Sequence, residues 1–254
     1  MSADRAQAEW RDASAYASLL LADRSVHAWE WLRRDPAYRR AAGAALAQVR
    51  PRGGLRPQKW GLEAFEDPDL PAPAARPLWS REAHAGVLLA VAVGRASPAD
   101  AFDLSSLAGL ATIVRSADTE HVLLSDGLRT IRIDILGDSA AAGPVELRYL
   151  LAGVASVAKP VLTLQRLLVL SRTGRFGRVL HRPEPRARRW LLMLRAVDAL
   201  AAGADQREIA ACLLSRSADG PRWRTEAPSL RSQVQRLVRG ARRLTAGGYR
   251  ELLR

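Results

Sequence analysis

The apolar positions in the last third of the chain recur at helical spacing. Leu230, Val234, Leu237, Val238, Ala241 and Leu244 fall within one arc at about 100° per residue. Arg231, Ser232, Gln235, Arg236, Arg239, Arg242 and Arg243 fill the opposite arc. This pattern predicts an amphipathic helix over Ser229 to Arg243 with an arginine-rich outer face. Ahead of it, Gln206 to Leu214 predicts a short helix that buries Ile209, Ala210, Leu213 and Leu214, with Asp205 as N-cap. Gly203 is expected to stop the preceding helix, Arg188 to Leu200, which carries Trp190, Leu191, Leu194, Val197 and Leu200 along one side.

The first segment, Arg11 to about Val49, also reads as helical, with Ala13, Tyr16, Leu19 and Leu20 at helical spacing. Asp35 followed by Pro36 predicts a fresh helix start, capped by the aspartate with proline in the first position. Trp29, Trp31 and Leu32 are expected in the core, with Tyr38 across the turn; a stacking platform or a partner-docking patch is the functional alternative. Prolines at 51, 57, 68, 71, 73 and 77, with Gly53-Gly54, mark a loop-rich connection that Trp60, Leu62 and Phe65 should tack onto a domain.

Strands are expected in the middle. Glu120 to Leu124 is β-prone, and Thr130 to Ile135 alternates polar and apolar. Asp126-Gly127 between them is a hairpin signal. Val145 to Leu150 reads as a third strand, and a helix is expected to begin at Pro160 and run to Leu170. The fold class is therefore α+β: a helical N-terminal module (1–50), a Pro-rich connection (51–77), a middle region with a small antiparallel sheet plus helices (78–181), and a helical C-terminal domain (186–254).

Charge changes what the arginine face implies. Taken alone, such a face is as readily a solvated surface as a binding one. The chain carries 39 Lys+Arg and 26 Asp+Glu, a net of +13. From Arg172 onward there are 19 arginines and 7 acids, against 20 basic and 19 acidic residues before it. A basic codon bias would spread the excess evenly; a polyanion footprint concentrates it. Guanidinium suits phosphate and guanine edges because its fork donates two parallel hydrogen bonds.

Other chemistries have little support. Cys212 is the only cysteine, which excludes an internal disulfide and a thiolate zinc cluster, and it is expected as a small buried hydrophobe. His27, His84, His121 and His181 are scattered without a second ligand at metal spacing. Neither a Gly-rich phosphate loop nor Gly-x-Ser-x-Gly occurs. Asp67/Asp69 and Asp100/Asp103 could be written as carboxylate pairs, but such pairs occur in most loops. No catalytic residue, metal ligand or cofactor is expected. The longest apolar stretch, Val145 to Leu170, is interrupted by Arg148, Lys159-Pro160 and Gln165-Arg166, so no membrane span is expected. With no secretory pattern in Met1 to Arg11, a reducing cytoplasm is the expected compartment.

Two stretches resemble known modules. Trp29-Glu30-Trp31-Leu32-Arg33-Arg34-Asp35-Pro36-Ala37-Tyr38-Arg39 resembles the W-E-[FW]-L-R-R-[ND]-P-x-Y signature of a small N-terminal, transcriptional regulator-like module of proteobacteria. The run with Ala204 to Ala210, Trp223, Leu230 to Arg243 and Gly247 to Leu253 is similar to a domain of formerly unknown function with a helix-turn-helix-like fold. Proteins that join the two resemble the excision activators of integrative and conjugative elements. That resemblance implies a transcriptional activator at an excisionase-type promoter, with RNA polymerase and a small antiactivator protein as partners.

The sequence reading is thus a sequence-specific binder of double-stranded DNA. Arg231, Gln235, Arg239 and Arg242 are the groove-facing candidates, with Ser232 near the helix start. Gln206 and Arg207 would touch the DNA backbone from the preceding helix, and Arg236 and Arg243 would flank as phosphate contacts. The simplest helix-turn-helix joins its helices by 3–4 residues. Here Ser215 to Pro228, with Trp223, intervenes, which leaves open which side chains reach bases. A protein–protein adaptor whose basic face meets an acidic partner is the alternative from another class, and structured RNA is a third.

Overall fold

A computed structural model describes residues 10–47, 56–94, 97–214 and 228–254. The connection from Ser215 to Ala227, with Trp223, lies outside the described residues, as do Pro51 and Gly53-Gly54. The chain closes into two units that interleave its ends. Asp23–Arg182 groups with Arg250–Arg254, and the described residues up to Ala22 group with Pro183–Tyr249.

The larger unit is built on a six-stranded sheet in the order β2-β6-β1-β5-β4-β3. Its strands are β1 (Leu88–Val93), β2 (Ala101–Phe102), β3 (Ala111–Arg115), β4 (Thr119–Ser125), β5 (Thr130–Gly137) and β6 (Val145–Leu150). The three expected strands are β4, β5 and β6. The sheet is larger than the sequence suggested, and it is mixed, because β1 runs parallel to β5 while the other pairings are antiparallel. The β4–β5 hairpin closes at the expected place. Ser125 pairs with Thr130, and Gly127 takes φ +96°, where a Cβ would meet the Pro73 carbonyl. Asp126 Oδ1 holds the loop by accepting from the amides of Leu128 and Arg129.

Three α-helices complete this unit among the described residues: α1 (Arg24–Leu32), α2 (Pro36–Leu46) and α3 (Ala158–Thr173). The last begins two residues before Pro160, because proline is accommodated within the first turn, where its missing N–H costs nothing. Leu167 and Leu170 of α3 join Leu88, Val122, Leu124, Ile131, Ile133 and Ile135 in one apolar core. The opposite face of β5 is covered as well. Arg132 is 2% exposed, with Nε donating to the Trp79 carbonyl at 2.9 Å and Nη1 lying 2.8 Å from Asp134. His121 Nδ1 completes the group, 2.7 Å from the same carboxylate.

The Trp-Glu-Trp-Leu-Arg-Arg-Asp-Pro stretch is a packing device. Trp29, Trp31, Leu32 and Tyr38 are all fully buried. Trp29 Nε1 donates to the Leu70 carbonyl at 3.1 Å, and Tyr38 Oη donates to that of Glu66 at 2.7 Å. Arg33 Nε reaches the Pro68 carbonyl at 3.1 Å, and the Glu30 carboxylate accepts from the Ala72 amide at 2.7 Å. Asp35 caps α2 through the Ala37 amide at 2.8 Å, with Pro36 in the first position. These residues fasten the proline-rich segment, whose own Trp60 packs edge-on against Tyr38 and whose Phe65 lies tilted beside it. Their burial accounts for the motif without an exposed stacking platform.

The smaller unit is helical: α4 (Ala187–Ala201), α5 (Gln206–Leu213) and α6 (Pro228–Thr245), with a 3-10 helix, Ser14–Leu21, from the beginning of the chain. α6 packs on both α4 and α5, and the 3-10 helix packs on α4. Trp10 is buried among Ala196, Ala199, Ile209, Ala210, Val234 and Val238.

Candidate nucleic-acid interface

The candidate interface is assembled by two helix boundaries and one amphipathic helix. α4 ends in a Schellman turn: Gly203 sits at φ +82°, its amide donates to Leu200, and the Ala204 amide donates back to Ala199. Asp205 then opens α5 in a complete capping box. Its Oδ1 accepts from the amides of Arg207 (2.8 Å) and Glu208 (2.9 Å), and Glu208 Oε2 accepts from the Asp205 amide at 3.0 Å. Ile209 and Ala210 anchor α5 in the core, with Leu213 and Leu214 half-buried beside them.

α6 is anchored by its apolar arc. Val234, Leu237, Val238, Ala241 and Leu244 are buried and Leu230 is half-buried. Gly240 lies against α4 so closely that a Cβ would stand 2.6 Å from Met193 Cε. With that side fixed, Arg231, Ser232, Arg236, Arg239, Arg242 and Arg243 are exposed, and Gln235 is half-buried. At about 100° per residue these seven positions span roughly 140°, with Arg239 close to the middle. Among the described residues, Arg231, Arg236, Arg239 and Arg242 make no ion pair with a carboxylate. Gln206 and Arg207, in the first turn of α5, are exposed as well.

Two features of this unit escaped the sequence reading. Arg186, Arg188 and Arg189 are exposed around the N-terminus of α4. Cations there oppose the helix dipole, so they do not serve the helix. The signal available in sequence was the run Arg186-Ala187-Arg188-Arg189 itself. The second is a correction. Cys212 is exposed, not buried, because it lies about 100° around α5 from the centre of the arc shared by Ile209, Ala210 and Leu213. Its Sγ rests 3.8 Å from Arg195 and 4.0 Å from the Arg11 carbonyl.

Among the described residues, no group of histidine, cysteine and carboxylate side chains could hold a metal ion. No described helix is long and apolar enough to cross a membrane.

Comparison with known proteins identifies two regions. Residues 153–254 match the family model described as "T6SS, Transcription factor, DNA binding domain", which takes in α3 to α6. Residues 9–63 match the "Proteobacterial transcriptional regulator-like domain". No curated protein and no solved structure matches the chain. The two matches, with the exposed arginine arc of α6, support a DNA-binding transcriptional regulator.

Proposed function

We propose that the chain is a sequence-specific regulator that lays α6 in the major groove of duplex DNA. The observation that carries this reading is the exposed arginine arc of α6, held outward by a continuous buried arc on the other side. From Arg231 to Arg243 the helix rises about 18 Å, enough to run across a major groove about 12 Å wide. Arg231, Gln235, Arg239 and Arg242 read base edges, with Ser232 near the start of the helix. Arg236 and Arg243 flank them on phosphates. Gln206 and Arg207 hold the backbone from the first turn of α5, the helix-turn-helix role, and Arg188 and Arg189 extend the cationic surface of the same unit. Arc geometry supports the assignment of α6, and the exposure of Gln206 and Arg207 in the first turn of α5 suits a backbone contact through their side chains.

The finer reading is an activator that controls excision or transfer of a mobile element. It rests on the resemblance of the two motifs to excision activators, as do its partners, RNA polymerase and a small antiactivator protein. Residues 186–254 supply the DNA-reading part, and the N-terminal motif serves the fold of the rest of the regulator.

The test is selection of bound duplexes by the full chain, followed by anisotropy titration of the selected site over a range of salt. Binding through several α6 arginines should give a steep salt dependence, with a slope of about 0.9 per phosphate neutralised. Replacing Arg231, Arg236, Arg239, Arg242 and Arg243 together by glutamine should abolish the selected binding while the helical circular dichroism persists. Retention of binding by that variant refutes the assignment. A shallow salt response with preserved affinity for an acidic protein would favour an adaptor instead.

A further inference from the structure

The sheet-bearing unit holds a cleft that DNA reading does not employ. It opens along β1 and β6, where Leu89 pairs with Leu150, and extends to the first turn of α3. Its volume is about 750 Å³, inside the usual range for small-molecule sites. The walls are largely aliphatic, and β2 pairs with β6 only at Val145 and Glu146, which leaves the far end of β6 open: Leu150 is 50% and Leu151 41% exposed. Two adjacent leucines are thus available for an apolar body to cover, while the core on the α3 side is closed by Leu167 and Leu170.

The charged groups in the wall are of one sign. Arg81 and Lys159 line the cleft, and no carboxylate does. His84 Nδ1 is enclosed and has no hydrogen-bond partner among the described residues. Burial, then repulsion from Arg132, pushes the His84 pKa down to about 4, so at neutral pH the ring is uncharged and offers one N–H. Lys159 is also held below its ordinary value, by desolvation and by the nearby charge of Arg24, a strain that a bound anion would relieve. The start of α3 adds to this field. Val157 provides no side-chain cap, so the positive end of a 16-residue helix is left unanswered beside Ala158 and Lys159.

We propose that this cleft binds a small amphipathic carboxylate, with its apolar body on Leu89, Leu150 and Leu151 and its head group between Lys159 and Arg81. Arg81 and Lys159 complement an anionic head, and the aliphatic wall suits the hydrocarbon body that a fatty carboxylate carries. The proposal stands apart from the DNA reading, because occupancy is measured directly.

The experiment is calorimetric titration of the full chain with octanoate, octanamide and acetate, alongside thermal denaturation. Octanoate should bind saturably and raise Tm, while octanamide, which lacks the charge, and acetate, which lacks the apolar body, should each bind at least tenfold more weakly. Arg81→Met with Lys159→Met should weaken octanoate at least tenfold. Ala155→Trp, which fills the cleft without touching its charge, should do the same, so the inference does not hang on one variant folding. Undetectable octanoate binding, equal affinity for octanamide, or undiminished binding by both variants overturns it.

Discussion

The Arg195 guanidinium grips the backbone of Trp10: Nε donates to the Trp10 carbonyl at 2.8 Å, and Nη2 donates to that of Arg11 at the same distance. Arg195 is 9% exposed and the Trp10 side chain is fully buried. Tyr16 Oη adds a 2.6 Å hydrogen bond to Asp198 one turn further along α4. The helical unit that carries the arginine arc is therefore completed by the opposite end of the chain.

A fragment limited to Arg186–Arg254 should accordingly be less stable than the same unit in the full protein. Trp10→Ala in the full chain should cost about 3–5 kcal/mol of that unit's stability, the usual range for emptying a large aromatic site. Denaturant unfolding followed by helical circular dichroism measures both. Equal stability of the fragment with and without residues 10–22 would show that Trp10 contributes nothing to it.

The α5 capping box sets a smaller, sharper expectation. Asp205→Ala removes the acceptor for two amides and should cost about 1 kcal/mol. Asp205→Asn should retain most of it. The Arg11–Glu208 contact, 3.5 Å between half-exposed side chains, should contribute little beside the cap. Comparing the melting temperatures of Asp205→Ala, Asp205→Asn and Arg11→Ala ranks the three.

Arg239→Ala and Arg243→Ala should differ in kind. Arg239 stands near the middle of the exposed arc, and loss of a bidentate guanine contact should remove about 1–3 kcal/mol of discrimination at one base pair. Arg243, towards the edge of the arc, should weaken all sequences alike and reduce the salt slope by about one. Matched titrations of the selected duplex and a scrambled one separate these outcomes. If neither variant changes binding to the selected duplex, α6 is not the reading helix.

Gly240→Ala is expected to be tolerated. The atom in its way is Met193 Cε, the far end of a flexible side chain, and alanine gains about 1 kcal/mol of helix propensity over glycine. Gly240→Leu should force α6 away from α4 and cost more than it gains. Their unfolding midpoints should therefore fall on opposite sides of a gap of a few degrees, with only the leucine variant losing duplex binding.

Glu30 gives the larger unit an acid-sensitive anchor. Burial raises its pKa, but the charges of Arg34 and Arg33 and the hydrogen bonds from Arg34 and the Ala72 amide outweigh burial, leaving the carboxyl below its ordinary 4.5. A depressed carboxylate pKa means that its stabilisation is present above pH 4.5 and is lost as pH falls through the lower, folded value. Glu30→Gln should unfold more easily than wild type at pH 7, and the difference should shrink as pH falls below 4.5. A constant difference across that range would remove Glu30 from the acid response.

The local features were legible in the residues alone. The arc of α6, the Asp205 and Asp35 caps, the stop at Gly203 and the β4–β5 turn each depend on residues within a few positions of one another, where helical period, side-chain capping and tolerance of positive φ act directly. The features that needed the folded chain involve partners far apart along it. Thr130 to Ile135 alternates polar and apolar, yet Arg132 and Asp134 on its polar side are buried because the Trp79 segment and β4 supply their hydrogen bonds. The parallel pairing of β1 with β5 joins residues more than forty positions apart, and Trp10 lies beyond the range of any periodicity in α4. Cys212 falls between the two cases: its type suggested burial, while the angle it takes around α5 places it outside. Local propensity fixes an element and its faces; which face is covered, and by what, depends on contacts whose loop-closure entropy is offset only once the whole core has formed.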